Sequence, residues 1–393
     1  MIKQAVIFCG GLGTRLSSLT KNTPKPMVHV NKKPFLFYLI AQCKSNGIKD
    51  FVLLCGYKHE RIKKYFGNGK NFGVKISYNY NDPKVETYSR LYNAKKLLKS
   101  KFLLLYCDNY SSLNLHDLFS CFKKFKSKFL LSISRKYKGN IQINYRNNKV
   151  NKYFFKKNNK SKFVDIGYMI VDKKIIISNY NFKNTSFSYL INKLSKKGYI
   201  HFYFNDTGYL SISDQKRLKI TEKCFSKNVI LIDRDGVLNL KNDNHFYVRN
   251  LEELKINYNF LNKYKKFLKK KLIICITNQA GISTGDLTAR NLKKINNEIA
   301  KEYLKHKIKI SDFFVSKHHF RSNHFLRKPN HGLFLNSIKK YKFILDKCYY
   351  IGDDIRDIEA SYRAKTKCLY IGKKSINNSL KIKYRNTLIS KPV

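Results

Sequence analysis

The chain has 393 residues, enough for two domains that each bury a core. It carries 80 Lys and Arg against 25 Asp and Glu, a formal net charge of +55. No apolar run approaches the length of a membrane-crossing helix, and the opening MIKQAVIFCGG reads as a strand entering a glycine loop, not a signal peptide.

The lysines are spread over the whole chain and travel with Asn, Ile, Tyr and Phe, a mixture that reads as compositional drift and not as a nucleic-acid patch. They would still draw anionic, phosphorylated substrates by long-range attraction. Nine Cys are scattered singly, mostly inside apolar runs such as those holding Cys9, Cys55, Cys107 and Cys275. Free buried thiols in a reducing cytoplasm are the economical expectation, with no membrane partner.

Residues 2–8 are predicted as an apolar strand, and Gly10-Gly11-Leu12-Gly13-Thr14-Arg15-Leu16 follows directly. Glycines there let backbone N–H groups approach phosphates, with a helix N-terminus expected beyond them. Lys25 follows in Pro24-Lys25-Pro26-Met27, held extended beside the same loop. A helix is predicted over about 35–46 and a strand over 51–54 ending at Gly56-Tyr57. Phe102–Asp108 is a further strand ending in a carboxylate, and Asn205-Asp206-Thr207-Gly208 is a second acidic turn.

GGLGTRL followed by PKPM resembles the signature of sugar-phosphate nucleotidylyltransferases, enzymes with a Rossmann-like α/β domain. The resemblance implies that Gly10, Gly11, Gly13 and Thr14 hold the phosphates of a nucleoside triphosphate. It further implies that Arg15 stabilises charge in the transition state, that Lys25 binds a sugar phosphate, and that Asp108 and Asp206 hold Mg²⁺. Such a site needs no protein nucleophile: a sugar-phosphate oxygen attacks the α-phosphorus and pyrophosphate leaves. One departure stands out. Where such enzymes carry a segment like GTGGA against the base, this chain reads Glu86-Thr87-Tyr88-Ser89-Arg90-Leu91-Tyr92-Asn93-Ala94, which leaves the base open.

Residues 115–226 hold apolar runs at 129–133 and 168–171 between Asn- and Lys-rich turns, the later strands of the same domain. Asp165-Ile166-Gly167-Tyr168 reads as a strand start, with the lining of a sugar pocket as the alternative. The polar stretch 214–228 marks the boundary, giving a first domain over 1–226.

Val229–Asn239, VILIDRDGVLN, is a short β-branched run that suits a central parallel strand, followed at once by Asp233-Arg234-Asp235-Gly236. Open α/β sheets place ligands at that carboxyl end. Two carboxylates there can share a magnesium ion, and one can attack a phosphoryl group. Leu272–Gly281 is a second strand, ending in Thr277-Asn278-Gln279, whose hydroxyl and backbone N–H groups suit phosphate oxygens. Helical periodicity follows over 287–306, and Arg327-Lys328-Pro329 then offers an ammonium to a phosphoryl group in transit. Tyr349–Asp357, YYIGDDIRD, is again strand then acidic loop, with Asp353 completing a metal site.

DRDGVLN, TNQAGI, RKP and GDDIRD resemble the four motifs of the haloacid dehalogenase superfamily of phosphatases, over about 227–373. They look most like the branch holding heptose 1,7-bisphosphate 7-phosphatases and histidinol-phosphate phosphatases. The likeness implies Asp233 as nucleophile and Asp235 as the acid, then base. Thr277, Asn278, Gln279, Arg327 and Lys328 would bind the phosphoryl substrate, and Asp233, Asp235 and Asp353 would hold Mg²⁺. That branch often carries a zinc loop of three Cys and one His before RKP. Here His318, His319 and His324 stand in a segment without Cys, so no zinc is expected.

The expectation is therefore two Rossmann-like three-layer α/β domains in tandem, a transferase over 1–226 and a phosphatase over 227–375, with a polar tail over 376–393. Chemistry links them. A heptose 1,7-bisphosphate losing its 7-phosphate becomes a heptose 1-phosphate, which a nucleotidylyltransferase consumes. Three rivals remain: a phosphatase for histidinol phosphate or another small phosphomonoester joined to a transferase for a different sugar or a phosphorylated alcohol, a first domain that does not catalyse and serves as a ligand-binding or assembly module, and a nucleic-acid-end phosphatase drawn by charge.

Overall fold

The computed structural model describes residues 1–181, 183–242 and 247–390, and the chain divides into two compact units, 1–222 and 223–393. The first unit is built on a nine-stranded sheet. Its order is Lys75–Tyr80, Asp50–Cys55, Gln4–Cys9, Lys101–Tyr106, Phe163–Asp172, Phe129–Arg135, Ile200–Phe204, Lys149–Asn158, Gly139–Asn144. The first four strands run parallel, and Phe163–Asp172 is antiparallel to both its neighbours.

Gln4–Cys9 is buried along its whole length, as a central strand covered on both faces must be. Val6, Phe8, Val52, Leu104, Leu131 and Met169 join one core cluster on this sheet. Cys9 lies opposite Cys55, and Phe8 lies opposite both Leu54 and Tyr106. Gly10, Gly56 and Asp108 therefore leave the sheet at the same carboxyl edge. The expected helix at 35–46 is Phe35–Ser45, and the strand at 51–54 is Asp50–Cys55. The glycine loop is followed by a six-residue 3-10 segment, Thr14–Leu19, in place of an α-helix N-terminus. Leu16 N–H bonds Gly13 C=O at 2.9 Å, the tight pattern of that helix type, and the TRLSSL sequence has two serines, which favour turns over helix interiors.

The stretch expected as a polar boundary, 214–228, is mostly helix, Gln215–Phe225. Leu218, Thr221, Cys224 and Phe225 recur at helical spacing and are all buried, an apolar stripe hidden among lysines.

The second unit has a six-stranded sheet, wholly parallel, in the order Ile310–Ser316, Leu272–Asn278, Val229–Ile232, Tyr349–Gly352, Lys367–Tyr370, Leu388–Ile389. Alternation along the central strand divides the core. Ile230 and Ile232 pack with Leu261 and Ile295 on one face, and Val229 and Leu231 with Phe334 and Ile358 on the other. The helix predicted over 287–306 is Ala289–Lys305, with Thr288 as its N-cap. Residues 376–390 are not a featureless tail. Asn378–Tyr384 is a helix capped by Asn377, Tyr384 is buried, and Leu388–Ile389 adds an edge strand. All nine cysteines are free, and all but Cys121 are buried. No helix among the described residues is long and apolar enough to cross a membrane.

Candidate active sites

In the second unit, register decides what meets. Ile232 lies opposite Cys275 on one side and Ile351 on the other, so Asp233, Thr277 and Asp353 all emerge at one carboxyl edge. They line a cavity of about 530 Å³, together with Tyr247, Arg327 and Lys328.

Asp233 is buried. Lys328 Nζ reaches its Oδ1 at 2.8 Å, and the Arg234 N–H donates to the same oxygen at 2.8 Å. Burial raises the Asp233 carboxyl, with the Lys328 ammonium opposing. Lys328 is itself held charged, because Asp233 and Asp357 outweigh the burial that would discharge it. Gly236 turns the chain at φ +83, and a Cβ there would lie 2.1 Å from Asp353 Oδ2. Only glycine meets both demands.

Asp233, Asp353 and Asp357 each offer an oxygen, all within 4.8 Å of one another. The group shares Asp233 and Asp353 with the expected metal set and adds Asp357. The Asp235 side chain does not join the group, because its oxygens are already engaged. They accept from Arg234 NH2 at 3.0 Å, Asn239 Nδ2 at 3.0 Å and Gln279 Nε2 at 2.6 Å. Burial works against the Asp235 charge, but Arg234 and the Asn239 and Gln279 hydrogen bonds prevail and lower its pKa.

Asp357 was not among the expected site residues. It sits in the first turn of the helix Ile355–Ala364, where its Oδ2 accepts the Asp353 and Asp354 N–H groups at 3.1 Å each. Its sequence signal was the Asp354-x-x-Asp357 capping-box spacing. A hard divalent cation fits this acidic oxygen set. Among the described residues Asp353 Oδ1 is buried with no hydrogen-bond partner, as suits an oxygen that would face a metal ion. Lys241 meets the other oxygen at 2.5 Å.

The remaining expected residues take supporting positions. Thr277 Oγ1 and Asp235 both receive Gln279 Nε2, while Gln279 Oε1 receives Arg234. The Asn278 amide clasps the Lys328 backbone with two 3.0 Å bonds, aiming the ammonium. Arg327 NH1 donates to His318 C=O at 3.2 Å. His318 and His324 stack with ring centroids 3.3 Å apart, and His319 Nδ1 accepts the Arg321 N–H.

In the first unit, the Lys25 ammonium pairs with the Asp108 carboxylate beside the glycine loop. The short ladder of Asn109–Tyr110 with Leu210–Ser211 brings the Asp206 turn to the same edge. Asn205 Nδ2 fastens that turn to Ser111 Oγ at 2.9 Å. Gly13 adopts φ +72, and its carbonyl accepts from Thr20 Oγ1 at 3.0 Å, closing the loop on itself. Thr14 and Arg15 begin the 3-10 segment, and Arg15 is exposed. Asp165 stands near Asp108, its carboxylate bonded by Tyr106 OH at 2.9 Å and Gly167 N–H at 2.7 Å.

Comparison with known proteins matches residues 4–209 to a family described as nucleotidyl transferase and residues 228–374 to one described as polynucleotide kinase 3 phosphatase. A Campylobacter jejuni D-glycero-alpha-D-manno-heptose 1-phosphate guanylyltransferase is 37% identical over 132 residues, covering 34% of this chain and 58% of that protein. A Salmonella typhimurium glucose-1-phosphate cytidylyltransferase is 52% identical over 65 residues, 16% of this chain and 25% of that protein. The chain thus spans less than two thirds of these relatives. Among solved structures, HddC from Yersinia pseudotuberculosis, complexed with GMP-PN, superposes with a TM-score of 0.50 at 24% identity, covering 56% of this chain and 99% of that one. That likeness is one of fold.

Proposed function

The chain belongs to the nucleotidyl transferase family, with a phosphatase domain fused after it, and from that premise we propose that it carries out two consecutive steps of nucleotide-activated heptose synthesis. The second unit removes the 7-phosphate of a heptose 1,7-bisphosphate, and the first couples the resulting heptose 1-phosphate to a nucleoside monophosphate taken from a triphosphate. The observation that carries the phosphatase half is the buried meeting of Asp233, Asp357 and Lys328 at a sheet edge. Relatives such as the Campylobacter heptose 1-phosphate guanylyltransferase support the heptose.

In the first step Asp233 attacks the phosphorus, while Lys328 and the Thr277 hydroxyl hold the phosphoryl oxygens. Asp235 gives a proton to the leaving sugar oxygen, then takes one from the water that hydrolyses the aspartyl-phosphate. Mg²⁺ held by Asp233 and Asp353 would offset phosphoryl charge. In the other unit, Gly10, Gly11, Gly13 and Thr14 bind triphosphate oxygens, Arg15 meets the charge on the leaving pyrophosphate, and Lys25 guides the sugar phosphate. Asp108 and Asp206 are proposed to hold the metal ion of this unit.

Mass spectrometry of products tests this, using Mg²⁺, both anomers of heptose 1,7-bisphosphate and an equal mixture of nucleoside triphosphates. A nucleotide-linked heptose supports both steps. Heptose 1-phosphate alone leaves only the phosphatase, and no turnover removes the heptose assignment. The phosphatase-family description and the net charge of +55 favour one second reading, removal of a 3′-phosphate from a nucleic-acid end. Phosphate release from a 3′-phosphorylated oligonucleotide, weakening with salt, would select it.

A further inference from the structure

In the first unit a cleft of about 150 Å³ opens between the glycine loop and the segment that departs from the usual glycine-rich pattern. Phe8, Gly10, Gly11, Glu86, Thr87 and Arg90 line it. Its wall is built by Arg90, which is only 3% exposed. Arg90 NH1 donates to Cys55 C=O at 3.1 Å and NH2 to Val85 C=O at 2.8 Å, with Asp82 and Pro83 carbonyls farther off at 3.4 Å each. A Cβ on Gly10 would fall 1.2 Å from NH1, so the glycine there makes room for the guanidinium.

This bracing occupies much of the polar backbone along the cleft. Val85 C=O is taken by Arg90, and Val85 N–H goes to Asp82 C=O at 2.9 Å. Glu86 N–H goes to Asn184 Oδ1 at 2.7 Å, and its C=O accepts the Arg90 N–H at 2.9 Å. Tyr88 N–H goes to Thr185 C=O at 3.0 Å. Thr87 Oγ1 accepts the Phe187 N–H at 2.7 Å, leaving its proton to donate. Among the described residues the Glu86 carboxylate makes no hydrogen bond or ion pair, and it is exposed on the cleft lining. Along this segment the Glu86 carboxylate is therefore the side-chain acceptor left to read a base, with the Thr87 hydroxyl as a donor beside it.

Two parallel N–H donors suit the two oxygens of a carboxylate. Guanine offers them on one edge, a ring N–H beside an exocyclic amine. Adenine and cytosine set one amine beside a ring lone pair, which a carboxylate repels, and uracil and thymine flank one N–H with two carbonyls. We propose that Glu86 reads guanine, so that the nucleotide bound by the first unit is a guanine nucleotide and Glu86 is its specificity-determining residue. The relatives named above include both a guanylyl- and a cytidylyltransferase, so their names alone do not choose. The inference rests on the transferase reading of this unit.

Calorimetric titration of the full chain with GTP, ATP, CTP and UTP in Mg²⁺ needs no sugar substrate and tests it directly. GTP should bind tightest. Glu86→Gln, an exposed change, should weaken GTP by about tenfold to a hundredfold, the worth of a bidentate base contact, and leave the other three within about twofold. Circular dichroism would show the variant folded. Tighter binding of another triphosphate, or equal loss of all four in Glu86→Gln, overturns the guanine assignment and keeps the transferase reading. Absence of binding by any triphosphate overturns both.

Discussion

Lys328 and Asp357 face each other at 2.8 Å with side chains only 3% and 1% exposed. The same ammonium meets Asp233 at 2.8 Å, so one cation answers for two buried carboxylates. Replacing Lys328 by Met would leave both without it. Breaking a buried pair on one side costs about 3–5 kcal/mol, and the second carboxylate adds to the penalty unless protonation relieves it. Lys328→Met should therefore lower the denaturation midpoint of the second unit and abolish phosphate release. Denaturant unfolding followed beside a phosphate assay checks both. Nucleotidyl transfer, carried by the other unit, should persist under conditions where the variant remains folded.

Asp233→Asn separates chemistry from folding. It retains the volume and removes the nucleophile, and it relieves the burial cost that pushes this carboxyl upward. Phosphate release should fall by more than about a thousandfold while thermal stability holds or rises. Intact mass after brief exposure to substrate should show a phosphoryl adduct on the native chain and none on the variant.

Arg234 is wholly buried and ties Asp235 to Gln279 and Asn296, with 2.8 Å to Gln279 Oε1 and 3.2 Å to Asn296 Oδ1. Arg234→Met should cost up to about 3–5 kcal/mol, since Asp235, whose side chain is 21% exposed, would lose its cation. The loss should lessen in acid, where Asp235 protonates: its pKa is lowered in the native protein, so the stability it contributes is present at neutral pH and is lost as pH falls through that depressed value. Unfolding measured from pH 7 downward, native beside variant, would show the two curves converging.

Much of this was written in the chain, and the reasons it was are as physical as the reasons the rest was not. Short apolar runs ending at Asp233, Asp108 and Asp353 announce both a strand and what its carboxyl edge carries, because strand and ligand sit together in sequence. Asp357 was hidden one helical turn later, where an acid reads as a cap. The helix Gln215–Phe225 was hidden by its lysines, which mask a buried stripe of four residues until the fold selects a face. Arg90 was least legible of all. An Arg among polar neighbours reads as surface, and only the parallel pairing of Gln4–Cys9 with Asp50–Cys55 brings Gly10 and Gly56 together to admit it.

Asp165 should give the first unit a pH dependence of the opposite sign. Burial raises its pKa to about 6, with the Gly167 and Tyr106 hydrogen bonds opposing and Asp108 adding to the rise. A raised carboxyl favours the native state most below its unfolded value, and that contribution is lost as pH rises through about 6. Asp165→Asn, which imitates the protonated form, should raise stability at pH 7 by up to about 3 kcal/mol and flatten the profile between about pH 4 and 6. Chemical denaturation of both proteins across that range would detect it.

Adjacent glycines should respond oppositely to one methyl group. A Cβ on Gly10 would sit 1.2 Å from Arg90 NH1, whereas one on Gly11 would meet nothing within 4 Å. Arg90 has little freedom to yield, because moving its guanidinium releases the Cys55 and Val85 carbonyls it holds. Gly10→Ala should therefore destabilise the first unit by at least the 1–3 kcal/mol or so of ordinary overpacking, and Gly11→Ala should stay within about 0.5 kcal/mol of native. A double-mutant cycle with Arg90→Met identifies the cause. Removing the guanidinium frees the space, so the Gly10→Ala penalty should shrink markedly in the Arg90→Met background, while the Gly11→Ala effect should simply add. An unchanged Gly10→Ala penalty would mean that the loop requires glycine for its own backbone and not for Arg90. If Gly11→Ala keeps its stability but loses nucleotide binding, the methyl is excluded by the ligand and not by the fold, the behaviour expected of a glycine that lets phosphates approach the backbone.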